Sequence, residues 1–345
     1  MYITVNATYF VTVMDGTVTL FYEWQFMSGP QAKAAGPAGC VRHVACGNKP
    51  LYTGIIYRRN IQAKEKGERS MKALLVLLFI MLFLFLCYMV LIIPRFHKPD
   101  YRALLHHYYA HRGLHDIAAG IPENSMKAFQ RAIDNGFGME MDVQLSRDGC
   151  PVVFHDATLT RMCGVEKRVD ALTLKELKEL TLAGTQERIP TFQEFLELVK
   201  GQVPLIIEIK MDKRNDRIPE AVNHLLTDYK GVYCIESFHP SALIWYKKNR
   251  PDVFRGQLCT NFNKENKNCS LPFFLLSKML SNIAARPDFI AYNWIYRNDF
   301  SRKICCNLYR ALPVGWTLRS QEEMDLCWKD FTLFIFENFI PKGDA

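Results

Sequence analysis

Glu140 and Asp142 stand two residues apart in an otherwise apolar stretch, 139–143. On a β-strand that spacing points both carboxylates to one face. Two acids on one face of an apolar strand are costly unless a cation lies between them. Oxygen-only ligands suit a hard divalent ion, Mg²⁺ or Ca²⁺. A polar turn, Ser146-Arg147-Asp148-Gly149, then leads through Val152-Val153-Phe154 to His155-Asp156. The return brings a histidine next to the acids. Upstream, Ala110-His111-Arg112-Gly113 puts another histidine at the end of an aromatic-rich strand. Downstream, an apolar strand ends in Glu208-Ile209-Lys210. Two histidines, three carboxylates, an arginine and a lysine at strand ends are the parts of a metal-assisted phosphoester site.

The elements that must position these groups alternate from residue 104 onward. Strands are expected at 106–113, 138–145, 151–156, 204–210, 232–238, 254–260, 288–294, 312–318 and 333–339. Between the first two, Pro122-Glu123-Asn124-Ser125 opens a helix with Ala128, Phe129, Ala132 and Ile133 on one face, and Asn135-Gly136 closes it. Thr173-Leu174-Lys175-Glu176 and Thr191-Phe192-Gln193-Glu194 are capping boxes. Only a tight turn separates 138–145 from 151–156. A parallel crossover needs about a dozen residues, so these two should form an antiparallel hairpin turning at Arg147-Asp148-Gly149. The other eight strands leave room for crossovers, which gives α/β architecture and a (β/α)₈ barrel over 104–345. An open doubly wound sheet is the alternative, but no GxGxxG follows the first strand. In a barrel His111, Glu140, Asp142, Glu208 and Lys210 gather at the C-terminal rim, and His155 returns to it. A solvated or paired rim residue would explain any one of these, but not the whole set.

Ahead of the barrel, residues 73–93 form an uncharged run of 21, mostly Leu, Phe, Ile, Val and Met. Such a run can cross a hydrocarbon core of roughly 30 Å. It shows no polar stripe of the kind a buried core helix carries. We therefore expect a single transmembrane helix at 71–94, a linker at 95–103, and an unassigned segment at 1–70. Residues 1–21 alternate like a strand, and 28–50 are rich in Gly, Pro and Ala. Translation beginning at Met71 is an alternative, which would make the apolar run an uncleaved signal anchor. Removing residues 1–94 should leave a soluble, active barrel, because no barrel strand is drawn from them.

The formal charge of +8 suits an anionic partner, although a solvated basic surface explains it equally. No arginine-rich run or nucleic-acid motif is present, so nucleic acid is not an expected partner. The eleven cysteines show no CxxC pair or zinc spacing. They read as small buried apolar residues, in weak agreement with a reducing compartment.

His111-Arg112-Gly113, Pro122-Glu123-Asn124-Ser125, Glu140-Met141-Asp142-Val143, His155-Asp156 and Glu208-Ile209-Lys210 stand in the order and spacing of the glycerophosphodiester phosphodiesterases, which this chain resembles over about 104–340. Ser237-Phe238 and Trp316-Thr317 are similar to later signatures of that family. Two departures stand out. Leu318-Arg319 follows Trp316-Thr317 where the family commonly has Val and Asn. Glu337-Asn338-Phe339-Ile340 replaces the family's Thr-Asp-x-Pro. Both lie where the leaving group or barrel closure would be affected.

The resemblance implies hydrolysis of glycerophosphodiesters to glycerol 3-phosphate and an alcohol. Glu140, Asp142 and Glu208 would hold the divalent ion. Arg112 could fork a phosphate oxygen and Lys210 add a point charge. His111 and His155 would be acid and base, in either order. By the same resemblance the glycerol 2-hydroxyl would attack first, giving a cyclic phosphate that water opens. Trp316 would bind substrate; Glu123 would too, unless it is merely a first-turn acid favoured by the helix dipole. A lysophospholipid substrate is a close variant, and 268–280 could form a lip leaning on the membrane or simply a barrel helix. A phosphatidylinositol phospholipase C-like enzyme and a catalytically inactive, membrane-tethered binding barrel are the rival readings. More basic residues precede the apolar run than follow it, which puts the barrel outside the cell membrane; a start at Met71 would lean the other way.

Overall fold

The computed structural model describes residues 5–14, 17–26, 42–44, 53–265 and 270–343, with side chains described from residue 63. The chain forms two compact units, Met1–Leu84 and Phe85–Ala345.

In the first unit, β1 (Val5–Met14) and β2 (Thr17–Phe26) pair antiparallel in a register running from Val5↔Phe26 to Met14↔Thr17, and β3 (Arg42–Val44) pairs with β2. The alternation read in residues 1–21 thus falls, where described, on two paired antiparallel strands. Most of the Gly, Pro and Ala-rich stretch lies outside the described residues. Helix α1 runs over Thr53–Leu91, so the apolar run is the second half of a longer helix that starts well before residue 71. The charged part, 58–69, carries no apolar stripe and gives no periodic signal, but its Arg, Gln, Lys and Glu are strong helix formers. Ala63–Leu91 is long and apolar enough to cross a membrane, and its apolar side chains are exposed.

The second unit is an eight-stranded parallel barrel. Its strands are β4 (Tyr108–His111), β5 (Gly138–Leu145), β7 (Leu205–Ile209), β8 (Tyr233–Ser237), β9 (Arg255–Cys259), β10 (Phe289–Asn293), β11 (Leu312–Leu318) and β12 (Leu333–Phe336). The order β4-β12-β11-β10-β9-β8-β7-β5 is closed by β4 pairing with β5. β6 (Pro151–Val153) returns antiparallel on β5, with Val143 opposite Val153 and Leu145 opposite Pro151. This is the expected hairpin. Helix α2 (Met126–Asp134) is capped by Ser125, whose hydroxyl accepts from Ala128 N, and both capping boxes form.

Period-2 alternation sets the barrel's layers. Tyr109, Ile206, Cys234, Leu258, Ala291, Val314 and Ile335 belong to one buried apolar cluster, one or two from nearly every strand. Two residues further along, the same face carries His111, Glu208, Glu236, Trp316 and Glu337. An apolar floor thus lies beneath a polar rim, because these strands turn polar two residues beyond the floor; β5 turns polar earlier, with Glu140 opposite Ile206. Tyr109 donates to Leu104 O at 2.6 Å and helps close the floor.

Gly113 makes a close approach after β4. Its φ is +78°, and a Cβ there would stand 2.9 Å from the Ala128 carbonyl carbon and from the Phe129 ring. Gly113→Ala should lower stability by roughly 2–4 kcal/mol, combining left-handed strain with overpacking. Denaturant midpoints of wild type and variant measure it; equal midpoints would show that the helix can yield.

The last turns of α1 and the segment after it belong to this second unit. Ile92 is fully buried, and its carbonyl accepts from Asn282 Nδ2 at 3.0 Å. Tyr309 donates to Met89 O at 3.1 Å and Arg286 to Ile93 O at 2.8 Å. No strand comes from 85–94, yet its carbonyls satisfy one buried and two half-buried donors. A chain starting at 95 should therefore be less stable than one starting at 85 by about 2–4 kcal/mol, the cost of leaving buried donors unpaired. Thermal melts of the two truncations compare them, and equal melting temperatures would refute the effect.

Candidate active site

The rim brings all the expected groups into one connected set. Glu140 and Asp142 on β5 and Glu208 on β7 are buried, and one carboxylate oxygen from each lies within 4.8 Å of the others. The parallel register pairs Asp142 with Glu208, and β8 adds Glu236 opposite Glu208. Burial raises the Glu140 carboxyl well above its ordinary value, and repulsion from Asp142, Glu208 and Glu236 adds to this. Burial also pushes Glu208 up, against the pull of Lys210. For Asp142 burial works upward too, but Lys210, His155 and Arg112 outweigh it and hold the carboxyl well below the usual range.

The cations are placed accordingly. Lys210 Nζ lies 3.0 Å from Glu208 Oε1 and 3.4 Å from Asp142 Oδ1. Ser237 donates to Ile209 O at 2.7 Å, steadying the strand end beside Lys210. Arg112 has φ +55°, a left-handed turn that lets its amide donate to Glu140 Oε2 at 3.1 Å. Its guanidinium donates to Glu123 Oε1 at 2.7 Å and lies 3.5 Å from Asp142 Oδ2. Glu123 precedes the Ser125 cap of α2 and pairs with two arginines, so the first-turn dipole reading does not hold. Asn124, also left-handed, donates to Asp142 Oδ2 at 2.9 Å.

Each histidine has its Nδ1 on a carboxylate. His111 Nδ1 is 2.5 Å from Glu337 Oε2, and His155 Nδ1 is 2.6 Å from Asp156 Oδ1. Nδ1–H donation fixes the tautomer and leaves Nε2 as the exchanging nitrogen. His111 Nε2 lies 3.8 Å from Glu140. Burial lowers His111 to about 4, despite the opposing bond to Glu337. Burial likewise lowers His155, while Asp142 raises it. The hairpin return that carries His155 is held by Gln144, which donates to Phe154 O at 2.7 Å and Asp156 O at 2.9 Å. Trp316 packs edge-on against Phe238, centroids 5.7 Å apart, and the Phe238 ring lies 6.0 Å from Lys210 Nζ. Against His111 and Arg112 opens a cavity of about 700 Å³, lined also by His115, Glu123, Arg131 and Arg319 among others.

Several members were not singled out in the sequence. Arg161 ties Glu123 to Asp156, donating to Glu123 Oε1 at 2.7 Å and to Asp156 Oδ2 at 2.7 Å. No local pattern marks it. Glu236 was legible: it sits two residues beyond buried Cys234 on the same strand face as the other acids. Glu337 and Arg319 stand out in the sequence only as departures from the family pattern. The two are partners, with Arg319 Nε donating to Glu337 Oε1 at 2.7 Å.

The three acids suit a divalent ion. All three are oxygen donors, they are buried together, and Asp142 Oδ1 has no hydrogen-bond partner. That chemistry suits a hard cation.

Comparison with known proteins agrees. The model of the glycerophosphoryl diester phosphodiesterase family matches residues 111–306. A glycerophosphodiester phosphodiesterase of Caldanaerobacter subterraneus is 44% identical over 162 residues, 43% of this chain and 65% of that one. One from Bacillus altitudinis is 32% identical over 162 residues, 42% of this chain and 63% of that one. The chain thus spans a little under two thirds of these relatives' lengths. Among solved structures, a glycerophosphodiester phosphodiesterase of Thermotoga maritima aligns with a TM-score of 0.52 at 26% identity, covering 67% of this chain and 95% of that one. An Oleispira antarctica phosphodiesterase, solved with the product sn-glycerol-3-phosphate, aligns at 0.56 with 21% identity, over 68% of this chain and 94% of that one. With the family model spanning more than half its length, this chain belongs to the glycerophosphoryl diester phosphodiesterase family.

Proposed function

We propose that this protein hydrolyses glycerophosphodiesters to glycerol 3-phosphate and an alcohol. One observation carries the reading: three buried carboxylates converge within 4.8 Å, ringed by Arg112, Lys210 and two carboxylate-oriented histidines. Three mutually repelling buried acids are a poor structural device and a good cation site. Glu140, Asp142 and Glu208 would hold Mg²⁺ or Ca²⁺, which would neutralise phosphate charge and orient the attacking oxygen. Arg112 forks one phosphate oxygen, and Glu123 and Asp142 hold its guanidinium in place. Lys210 supplies a compact charge on the other side. One histidine accepts a proton at Nε2 from the attacking hydroxyl and the other returns one to the leaving alcohol. Glu337 and Asp156 keep both rings in the required tautomer and stabilise the imidazolium. Trp316 and Phe238 give the substrate carbon a dry wall. The test is glycerol 3-phosphate release from glycerophosphocholine with and without EDTA. Release only when metal is present supports the reading; none with any divalent ion removes it.

We also propose that Ala63–Leu91 anchors the protein in the cell membrane with the barrel outside. The basic residues ahead of the apolar run outnumber those just after it, as the positive-inside rule asks. Protease added to intact cells should digest the barrel. A barrel that survives while a known surface protein is cut would reverse the orientation.

A further inference from the structure

The chain enters the second unit at the catalytic end of the barrel. The Phe85 ring lies 6.4 Å from Phe300, which opens the helix following the C-terminal end of β10. Tyr88 donates to Ser301 Oγ at 2.8 Å and reaches Lys278 O at 3.5 Å. Further along, Arg95 N donates to Pro287 O at 2.9 Å, just before the N-terminal end of β10. The segment 85–95 therefore descends the barrel wall from the catalytic end to the opposite end.

The catalytic end also bears the unit's concentration of exposed apolar side chains. In the helix Leu271–Ser277, which follows β9, Leu271 is 69% exposed and Phe273 47%, with Phe274 and Leu275 also exposed. Ile295 and Phe300, which follow β10, are 56% and 55% exposed. Tyr88 contacts Lys278, just after the first group, and Phe300 in the second, so the patch flanks the point of entry. Lys278 and Lys264 stand over the rings of Phe274 and Tyr296, each at 5.8 Å, an arrangement suited to a headgroup layer. From the patch an aromatic path leads inward: Phe273 to Phe262 at 5.0 Å, Phe262 to Phe238 at 6.0 Å, Phe238 to Trp316 at 5.7 Å. It ends beside Lys210.

We propose that the catalytic end of the barrel rests on the lipid surface, with Leu271, Phe273, Phe274, Leu275, Ile295 and Phe300 in the interfacial layer of the bilayer. This rests on the membrane reading of Ala63–Leu91. A large apolar patch flanked by two lysines is otherwise a liability in water, and the interfacial layer of a bilayer matches its chemistry. A phosphodiester seated in the bilayer can then reach Arg112 and Lys210 while its carbon chain follows the aromatic path.

The full chain, reconstituted in phosphatidylcholine–phosphatidylglycerol vesicles that carry a photoactivatable phospholipid, tests this by peptide mapping. Labelling is expected in 63–91 and in 271–275. None is expected in the helix Gln321–Cys327, whose exposed Leu326 lies near its end at the opposite face of the barrel. Labelling of 63–91 alone overturns the docking and leaves the anchor standing. No labelling of 63–91 overturns the anchor and the docking with it. The double variant Leu271→Asp, Phe274→Asp should keep its turnover of soluble glycerophosphocholine and lose roughly tenfold or more on a lysophospholipid carried in the vesicles. Equal turnover on the vesicle substrate overturns the proposal. Should the variant fold poorly, labelling of the unaltered chain decides alone.

Discussion

Glu208→Gln is expected to lower kcat/KM by roughly 10²–10⁴, the several kcal/mol that a bound divalent ion contributes to a developing phosphoryl charge. The fold should survive, because Gln keeps the shape and removes a charge that burial and Asp142 already disfavour. Asp142→Asn is a harsher change: Asp142 is the charge that Lys210, Arg112 and Asn124 face, and its loss leaves two cations short of a partner. EDTA should abolish wild-type turnover, and added Mg²⁺ or Ca²⁺ restore it. The readout independent of turnover is thermal. Metal should raise the wild-type Tm by mass action and raise that of Glu208→Gln much less. Full turnover by demonstrably metal-free enzyme, or an equal metal shift in both proteins, would remove the carboxylate trio from the mechanism.

His111→Ala and His155→Ala should each cost roughly 10²–10⁴ in turnover, the usual contribution of a positioned acid or base. Both rings are buried or half-buried and held through Nδ1, so neither change should disturb the strands themselves. Losing His111 leaves Glu337 paired with Arg319; losing His155 leaves Asp156 paired with Arg161. The carboxylates thus keep partners, and folding should be close to wild type. The double variant should be little worse than either single one, since acid and base act in one proton relay and their effects are not additive. Near-wild-type turnover in both single variants would mean that the proton transfers run through other groups.

The sequence by itself determined the element types, the barrel, the hairpin at Arg147-Asp148-Gly149 and nine of the groups on the rim. These are legible because they depend on near neighbours. Period-2 alternation, a tight turn, capping boxes and acids two apart on one strand are all read within a dozen residues. Helix α1 marks the edge of that legibility: its apolar half announces itself by composition, whereas its charged half shows no pattern that burial would impose.

Only the tertiary structure decided which of those groups pair. Glu337 meets His111 across 226 residues, and Arg161 reaches Glu123 across 38 and joins it to Asp156. Glu236 joins the acids through the β7–β8 register. Arg319 and Glu337, read separately as two departures from the family pattern, form one ion pair because β11 and β12 lie side by side. Such pairings follow from barrel closure and strand register, which set where each strand ends in space. A linear sequence carries the side chain that waits at each end, but not the neighbour that closure brings to it.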